Sequence, residues 1–258
     1  MRNDADATLA ADATLAADIA EAAGELLVAL RTRAASTGEL EGKALGAAGD
    51  ARSNELILDR LAKARPDDAI LSEESADDPG RLDADRVWIV DPLDGTREYT
   101  MPGRDDWAVH VALWVRGRGI AAAAVAQPAL GALYVSGRAV APRGAVPTPA
   151  RVLVSDSRPP AFVAGFCAAV GAVAQPMGSA GAKAMAVVRG DAEAYVHAGG
   201  QWEWDSAAPA GVAVAAGLHV SRLDGSELLY NRPHPYLPDL LICRRELAEP
   251  YLAALRGL

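Results

Sequence analysis

Several features that would direct the chain to a specialised class of protein are scarce or missing. The 258 residues include two cysteines, Cys167 and Cys243, without a CxxC spacing, which favours two buried thiols in a reducing compartment. No run of about 18 or more apolar residues occurs, and this excludes a membrane-spanning helix. Positive charge is also in deficit: the formal net charge of −9 argues against non-specific binding to nucleic acid polymers or to anionic membranes.

The beginning of the chain lacks the basic start and the apolar core of a secretory signal and has acidic residues instead, so we expect a cytoplasmic protein. Its length suffices for one large domain or two modest ones. The proline- and glycine-rich segment APRGAVPTPA, residues 141–150, is the best candidate linker. We therefore predict an N-terminal α/β domain over residues 1–140 and a C-terminal α/β domain over residues 141–258.

Helix and strand patterns alternate along most of the chain. The spacing of apolar residues predicts a helix over 8–31, with Thr8 as a possible N-cap, and a second helix over 50–64, with a glycine-containing loop (42–50) between them. Further strands are predicted over 68–75, 86–90, 107–115, 119–128, 131–137, 151–157 and 192–198, and further helices over 160–170, 181–189 and 205–217. This alternation predicts a second α/β unit packed against the first.

The stretch WIVDPLDGT, residues 88–96, ends an apolar strand with two carboxylates three residues apart. Because Pro92 fixes its own φ and restrains Asp91 to an extended conformation, Asp91 and Asp94 can point to the same side of a stiff turn. Two such carboxylates repel each other unless a cation lies between them, and carboxylate oxygens are ligands that Mg²⁺ selects. Taken alone, however, the same string favours a plain turn at Asp94 and Gly95 with Asp91 as a cap.

Other residues make a site for phosphoryl chemistry the better interpretation. Gly95 and Thr96 are predicted to begin a short helix, where unpaired N–H groups form a cradle for phosphate. Glu73 and Glu74 close the preceding strand, and the string WEWD brings Asp205 to the start of a predicted helix. Acids for Mg²⁺ beside amides for phosphate indicate metal-assisted phosphoryl transfer.

Three segments together resemble a known family. LSEES (71–75), WIVDPLDGT (88–96) and WDSAAPAG (204–211) are similar, in this order and at these separations, to the signatures of the inositol monophosphatase superfamily of Mg²⁺-dependent, lithium-sensitive phosphatases. The resemblance covers nearly the whole chain, and Asp50 in GAAGD matches a fourth family position. It implies an α/β (α+β) fold, a layered αβαβα sandwich of the sugar-phosphatase type, and a homodimer.

The resemblance also implies roles for individual residues. Two or three Mg²⁺ ions would be bound by Glu73, Asp91, the backbone carbonyl of Leu93, Asp94 and Asp205. Thr96 would orient a water molecule, and Asp50 would interact with the Thr96 hydroxyl. The amides of Gly95 and Thr96 would bind the phosphate. Glu74, the other acid of its pair, would lie behind the metal ligands or contact a further metal ion.

The substrate has to be inferred from the second half of the chain. The superfamily includes phosphatases for inositol phosphates, fructose bisphosphate, histidinol phosphate and 3′-phosphoadenosine nucleotides. In inositol monophosphatases a glutamate seven residues before the last metal-binding aspartate binds ring hydroxyls, whereas Ala198 occupies that position here and leaves space for a flat base. Residues 178–205 resemble the CysQ branch, whose members hydrolyse 3′-phosphoadenosine 5′-phosphate to AMP, and this implies that Gly178, Ser179 and Lys183 line a nucleotide pocket. The full substrate-binding set would be Glu73, Leu93, Asp94, Gly95, Thr96, Gly178, Ser179, Lys183 and Asp205.

Several side chains keep alternative roles. Lys183 either meets the second phosphate or is a solvated helix residue. Arg97 and Arg104 either contact the nucleotide or lie on the surface, and Trp202 and Trp204 either stack on an adenine or pack in the core. His110 is expected inside a strand, and His197 is a candidate for substrate contact at the mouth of the pocket.

The leading hypothesis is a Mg²⁺-dependent phosphatase acting on a small-molecule nucleotide bisphosphate during sulfate assimilation. Inositol-phosphate or fructose-bisphosphate phosphatase activity is the alternative among enzymes. A non-catalytic nucleotide or metal sensor on the same fold is the alternative of another class.

Overall fold

The computed structural model describes residues 2–142 and 144–257, with side chains from residue 8 onward. In this part of the chain there are seven α-helices: α1 (Arg2–Thr37), α2 (Gly42–Ala64), α3 (Thr96–Thr100), α4 (Val163–Val170), α5 (Ala180–Arg189), α6 (Glu203–Ala216) and α7 (Arg245–Leu255). The strands are β1 (Ala69–Ser72), β2 (Arg86–Asp94), β3 (Ala108–Val115), β4 (Gly119–Gln127), β5 (Ala132–Val135), β6 (Ala150–Ser155), β7 (Ala172–Met177), β8 (Ala194–Trp202), β9 (His219–Ser221) and β10 (Tyr236–Cys243). None of the helices described has the combination of length and apolarity that a membrane span requires.

The first sheet has the strand order β1-β2-β3-β4-β5. Strand β1 lies parallel to β2, and the later neighbours are antiparallel. The predicted end of β2 at residue 90 is wrong, because the strand continues to Asp94 and pairs there with Ala108 across an irregularity that begins after Asp91. Such bulges bend a strand and re-aim its side chains, so both acids stay on β2 while the bend sets their directions.

Helices α1 and α2 cover one face of this sheet. The prediction that Thr8 caps α1 is wrong, since α1 begins at Arg2 and Thr8 lies inside it. The predicted loop over 42–50 is also wrong, because the segment forms the first turns of α2. Two of its glycines serve close packing instead of a turn: a Cβ at Gly46 would lie 2.8 Å from Thr96 Cγ2, and one at Gly49 would lie 2.9 Å from Leu93 Cδ2. The absent side chains let α2 approach the end of β2.

The second sheet has the order β7-β6-β8-β10-β9. Strand β6 is parallel to β7 and β8, whereas β10 is antiparallel to β8 and β9. Strand β7 has no counterpart among the predictions, since it is an edge strand that is largely solvent-exposed and includes Pro176. The carboxyl ends of β6, β7 and β8 meet at one edge of the sheet.

The layers confirm the predicted αβαβα sandwich. Three apolar clusters separate them: one between α1, α2 and the first sheet, one in which α5 and α6 fill the space between the two sheets, and one between the second sheet and the pair α4 and α7. The central cluster joins both halves of the chain, with Val87 from β2, Val187 from α5 and Tyr195 from β8. The division into two domains near residue 140 remains a prediction.

Candidate metal and phosphate site

Three carboxylates meet where β2 ends and α6 begins. Asp91 and Asp94 lie on either side of the bulge in β2, and Asp205 lies in the first turn of α6. One oxygen of each lies within 4.8 Å of the others. Trp202 donates its backbone N–H to Asp205 Oδ2 at 2.6 Å, which fixes the third carboxylate.

Asp91 is buried, and only one of its two carboxylate oxygens accepts a hydrogen bond from the described part of the chain. Its Oδ1 accepts a hydrogen bond from the Leu93 N–H at 3.1 Å, but its Oδ2 is buried and has no hydrogen-bond partner in the described part of the chain. Burial, followed by the charges of Glu73, Asp94 and Asp205, raises the pKa of Asp91 well above its ordinary value. An unpartnered buried carboxylate oxygen facing other carboxylates fits a divalent cation, because buried charges are stable only when they are paired or coordinated.

Glu73 lies directly beyond β1, outside the group of three carboxylates whose oxygens lie within 4.8 Å of one another. Its N–H donates to the Val90 carbonyl at 3.2 Å, extending the parallel pairing by one residue. Burial and then the charge of Asp205 raise the pKa of Glu73 to about 8. The pKa of Asp205 rises to about 7, first through burial and then through Asp94. The acids thus repel one another as the sequence pattern implies.

Asp94 differs from the others because the protein stabilises its charge. It accepts hydrogen bonds from the backbone N–H groups of Ala180 at 3.1 Å and Gly181 at 2.6 Å, and from the hydroxyl of Ser179, all at the start of α5. Burial alone would raise its pKa, but the adjacent His110 imidazole and then the Ser179 hydroxyl lower the pKa of Asp94 to about 2. Asp94 is therefore anchored at a helix N-terminus, where a negative charge is favoured.

Asp50 and Thr96 form the second part of the site. Thr96 Oγ1 lies 3.2 Å from Asp50 Oδ1 and 3.1 Å from the Leu93 carbonyl oxygen. Burial and then the charge of Glu74 raise the pKa of Asp50 to about 6, against the lowering effect of the hydrogen bond from Thr96. Thr96 begins α3, and Gly95 precedes it with a φ of +83°, a conformation that favours glycine.

The loop before α5 packs onto this site. Gly178 donates its N–H to Asp106 Oδ2 at 2.8 Å, and a Cβ there would lie 2.4 Å from Glu98 Cγ. Ser179 has a φ of +51°, and its Oγ accepts from the Ala182 N–H at 2.9 Å. In this structure both residues support Asp94 and the turn around it, and their contact with a nucleotide remains a prediction.

Lys183 lies beneath the same loop and is 4% exposed. Its ammonium group donates to the carbonyl oxygens of Met177, Gly178 and Ser179 at 3.3, 3.2 and 2.6 Å, and lies 5.1 Å from the centre of the Tyr195 ring. Burial lowers the pKa of Lys183. The three N–H donors of the ammonium group all face the protein, so a contact with the second phosphate stays a prediction.

The two arginines that flank the phosphate motif are ion-paired. Arg97 and Arg104 both contact Asp156, at 2.6 and 3.1 Å, and Arg97 also contacts Glu98 at 2.7 Å. Arg104 pairs in addition with Asp106. These pairs tie α3 and the loop after it to the end of β6.

An aromatic cluster lies beside Asp205. Trp202 and Trp204 are stacked, with ring centres 5.4 Å apart and planes 10° from parallel. The Trp202 ring also meets His234 and Tyr236 edge-on, at 5.4 and 5.6 Å. The two tryptophans therefore pack on each other, and adenine stacking remains a prediction.

One residue of the site, His110, has no predicted role in the sequence. His110 is fully buried on β3 directly opposite Asp91, with Nε2 3.3 Å from Asp94 Oδ2 and Nδ1 3.1 Å from the Trp204 carbonyl oxygen. Its position follows from the antiparallel register of β2 and β3. A histidine inside a predicted strand next to the acidic one was the available signal.

Comparison with known proteins agrees with this geometry. The profile of the inositol monophosphatase family matches residues 7–257. The chain is 55% identical over 241 residues to the 3′-phosphoadenosine 5′-phosphate phosphatase of Mycobacterium bovis, spanning 90% of this chain and 89% of that protein. It is 31% identical over 203 residues to the 3′(2′),5′-bisphosphate nucleotidase CysQ of Escherichia coli K12, spanning 74% and 81% of the two chains.

Solved structures show the same fold. The inositol monophosphatase from Anabaena superposes with a TM-score of 0.78 at 21% identity, covering 97% of both chains. SuhB of Mycobacterium tuberculosis superposes with a TM-score of 0.71 at 24% identity, covering 96% of both chains. The match of the family profile along nearly the full length, together with these relatives, establishes that the chain belongs to the inositol monophosphatase family, whose members are metal-dependent phosphatases.

Proposed function

We propose that the chain is a Mg²⁺-dependent phosphomonoesterase that removes the 3′-phosphate of 3′-phosphoadenosine 5′-phosphate to give AMP and phosphate. The observation that carries the proposal is the meeting of Asp91, Asp94 and Asp205 within 4.8 Å, beside the Asp50 and Thr96 pair. A binding protein would need the carboxylate cluster but not the second pair. The names of the mycobacterial and enterobacterial relatives support the choice of substrate.

The donor set fits Mg²⁺, because it offers carboxylate and carbonyl oxygens without nitrogen or sulfur ligands. The residues that would hold it are Glu73, Asp91, Asp94, Asp205 and the carbonyl of Leu93. When bound, Mg²⁺ supplies Lewis-acid stabilisation of the phosphoryl oxygens and activates water. The orphaned Oδ2 of Asp91 is the atom that most clearly requires a cation.

The chain's own groups then orient the reactants and move the proton. Asp50, with its pKa near 6, is an effective acceptor close to neutral pH. The Thr96 hydroxyl lies between Asp50 and the substrate side of the turn, so it can donate to Asp50 while its oxygen accepts from the attacking water. The N–H groups of Gly95 and Thr96, at the start of α3, would bind the phosphate.

The base would occupy the space next to Ala198. Strand β8 continues from Ala198 into Gly199 and Gly200, so these three residues contribute no carboxylate or large side chain to receive the hydroxyls of a sugar ring, and the carboxylate opposite Ala198, that of Asp239, is paired with Arg222. This region favours a nucleoside over inositol. A role in sulfate assimilation, a cytoplasmic location and a homodimer belong to the same proposal.

Phosphate release from a panel of substrates tests the proposal. The wild-type protein should release phosphate from 3′-phosphoadenosine 5′-phosphate faster than from inositol 1-phosphate or fructose 1,6-bisphosphate, and only with Mg²⁺. Asp94→Asn should abolish release, whereas Asp85→Asn, an exposed acid paired with Arg116, should leave it unchanged. Faster turnover of inositol 1-phosphate would contradict the choice of substrate, and an absence of Mg²⁺-dependent release from every substrate would contradict the enzyme.

A further inference from the structure

The end of β6 places an arginine beside the glycines of β8. Strands β6 and β8 run parallel, with Leu153 opposite Tyr195, so both chains leave the sheet at the same edge. Arg158 follows β6 at this edge and is exposed. Its guanidinium group reaches across to β8, where Gly199 and Gly200 interrupt the run of side chains.

The contact with Gly200 is close. A Cβ built on Gly200 would lie 3.0 Å from Arg158 Nη1 and 3.6 Å from Cζ, so the guanidinium rests on the glycine backbone. Gly199 and Gly200 have φ values of +80° and +74°, and β8 bulges against β10 at this point. The Gly200 N–H donates to the Tyr236 hydroxyl at 3.1 Å, and His197 Nε2 lies 2.7 Å from the Gly199 carbonyl oxygen. Hydrogen bonds therefore hold the bend of β8 beneath Arg158 at both Gly199 and Gly200.

Arg158 differs from the other cations around the site because no carboxylate or carbonyl oxygen in the described part of the chain binds its guanidinium group. Arg97 and Arg104 are bound by carboxylates, and the Lys183 ammonium group is bound by carbonyl oxygens. Within residues 2–142 and 144–257, the Arg158 side chain makes no ion pair or hydrogen bond, and only its backbone N–H is engaged, by Ser155 Oγ at 3.1 Å. An arginine fork held on a glycine backbone with free donors is suited to a phosphate group.

The position relative to the acidic cluster suits a second phosphate. Gly200 precedes Trp202 by two residues, and the Trp202 N–H binds Asp205. The Arg158 contact therefore lies two residues along the chain from the residue that holds Asp205. A 3′,5′-bisphosphate carries its two phosphates on one ribose ring, so a cation for the second phosphate belongs near the acidic cluster but outside it.

We propose that Arg158 binds the 5′-phosphate of the nucleotide and is the residue that makes the enzyme prefer a bisphosphate to a monophosphate. This inference rests on the proposed function and adds to it the specificity-determining group. Lys183 then supports the loop that holds Asp94, while Arg158 provides the charge that the substrate meets. The AMP product retains the 5′-phosphate and should occupy the same subsite.

The variant Arg158→Gln tests the proposal. Its kcat/KM for 3′-phosphoadenosine 5′-phosphate should fall about 10- to 100-fold, mainly through KM, as expected for the loss of one charge-assisted contact. Its kcat/KM for adenosine 3′-monophosphate, which has no 5′-phosphate, should stay near the wild-type value. The inhibition constant of AMP should rise in parallel, and that of adenosine should not. Arg118→Gln, at the exposed turn between β3 and β4, is the matched control and should change none of these values.

Other results would overturn the proposal. An equal loss on both substrates would mean that Arg158 acts through structure, and no loss on the bisphosphate would mean that it does not bind substrate. If hydrolysis of the monophosphate is too slow to measure, an unchanged inhibition constant for AMP has the same meaning. Failure of the wild-type protein to hydrolyse the bisphosphate is a different outcome, because it would contradict the proposed function before any variant is made.

Discussion

The imidazole of His110 lies between Asp94 and the backbone of the residue that precedes Asp205. Nε2 lies 3.3 Å from Asp94 Oδ2, and Nδ1 lies 3.1 Å from the carbonyl oxygen of Trp204, the residue before Asp205. A Cβ on Gly181 would lie 2.1 Å from the same Nε2, so α5 also packs directly on the ring. His110 thereby connects the end of β2 with the starts of α5 and α6.

We predict that His110→Asn raises the Mg²⁺ concentration needed for half-maximal phosphate release about tenfold, because loss of a group that orients a metal ligand typically weakens metal binding by 10- to 100-fold. A Mg²⁺ titration of activity at saturating substrate measures this effect. His219→Asn, on β9 and away from the acids, serves as the control. A titration curve identical to that of the wild type would show that His110 has no part in orienting Asp94.

Glycines of α2 set the distance between Asp50 and Thr96. Gly46→Ala should destabilise the protein by about 1 to 3 kcal/mol, because the added methyl group would meet Thr96 Cγ2 at 2.8 Å and overpack the contact. The rate of phosphate release should fall further in Gly46→Ala than in Ala47→Ser, which changes an exposed neighbour. Urea unfolding and steady-state kinetics of the two variants give both values, and wild-type kinetics in Gly46→Ala would contradict the role of this packing.

Metal binding should stabilise the protein more as the pH rises. The pKa values of Glu73 and Asp205, about 8 and about 7, lie above those of the unfolded chain, which are near 4. Protonation of these groups therefore stabilises the metal-free fold at low pH, and that contribution is lost progressively between about pH 4 and pH 8. Mg²⁺ replaces the protons, so the increase in Tm on adding Mg²⁺ should be small at pH 5 and larger at pH 8.

Thermal unfolding with and without Mg²⁺ at several pH values measures this difference. His197 changes the stability in the opposite sense, since burial lowers its pKa to about 4 and its contribution is lost as the pH falls from about 6.5. The contribution of His197 to stability is the same with and without Mg²⁺, so it cancels in the change of Tm that Mg²⁺ produces. An equal Mg²⁺ effect at pH 5 and pH 8 would contradict the prediction.

The buried ammonium group of Lys183 should matter for structure more than for substrate choice. Lys183→Met removes a donor from three backbone carbonyl oxygens, and we expect a loss of about 1 to 3 kcal/mol in stability. Phosphate release should fall by a similar factor for 3′-phosphoadenosine 5′-phosphate and adenosine 3′-monophosphate, in contrast to Arg158→Gln. Lys63→Met, which removes an exposed pair with Asp59, is the control. A loss confined to the bisphosphate would instead assign the second phosphate to Lys183.

The acidic residues of the site could be predicted because each follows a local pattern. Asp91 and Asp94 come after an apolar strand, and Asp205 comes at the start of a helix, so short strings of sequence place them. The αβαβα layers follow from the alternation of strands and helices in the same way. These features depend on residues that are neighbours in the chain.

The supporting residues could not be predicted because their roles depend on distant contacts. Gly46 and Gly49 have the composition of a loop, and only the closeness of Thr96 and Leu93 explains why they lie in a helix. Lys183 occurs among small apolar residues, and its carbonyl partners belong to the loop just before its own helix. The role of His110 depends on the register between two strands.

The two helices that fill the centre of the sandwich both begin at the acidic cluster. The first turn of α5 holds Asp94 of the first sheet, and the first turn of α6 carries Asp205, which faces the same carboxylates. An ion bound there would fasten the two halves of the chain to each other, since ligands from both must stay together to hold it. Mg²⁺ would therefore have a structural role as well as a chemical one, because its binding free energy would add to the free energy of unfolding of the whole sandwich. Chelation should then accelerate amide hydrogen exchange in α5 and α6, far beyond the ligands themselves.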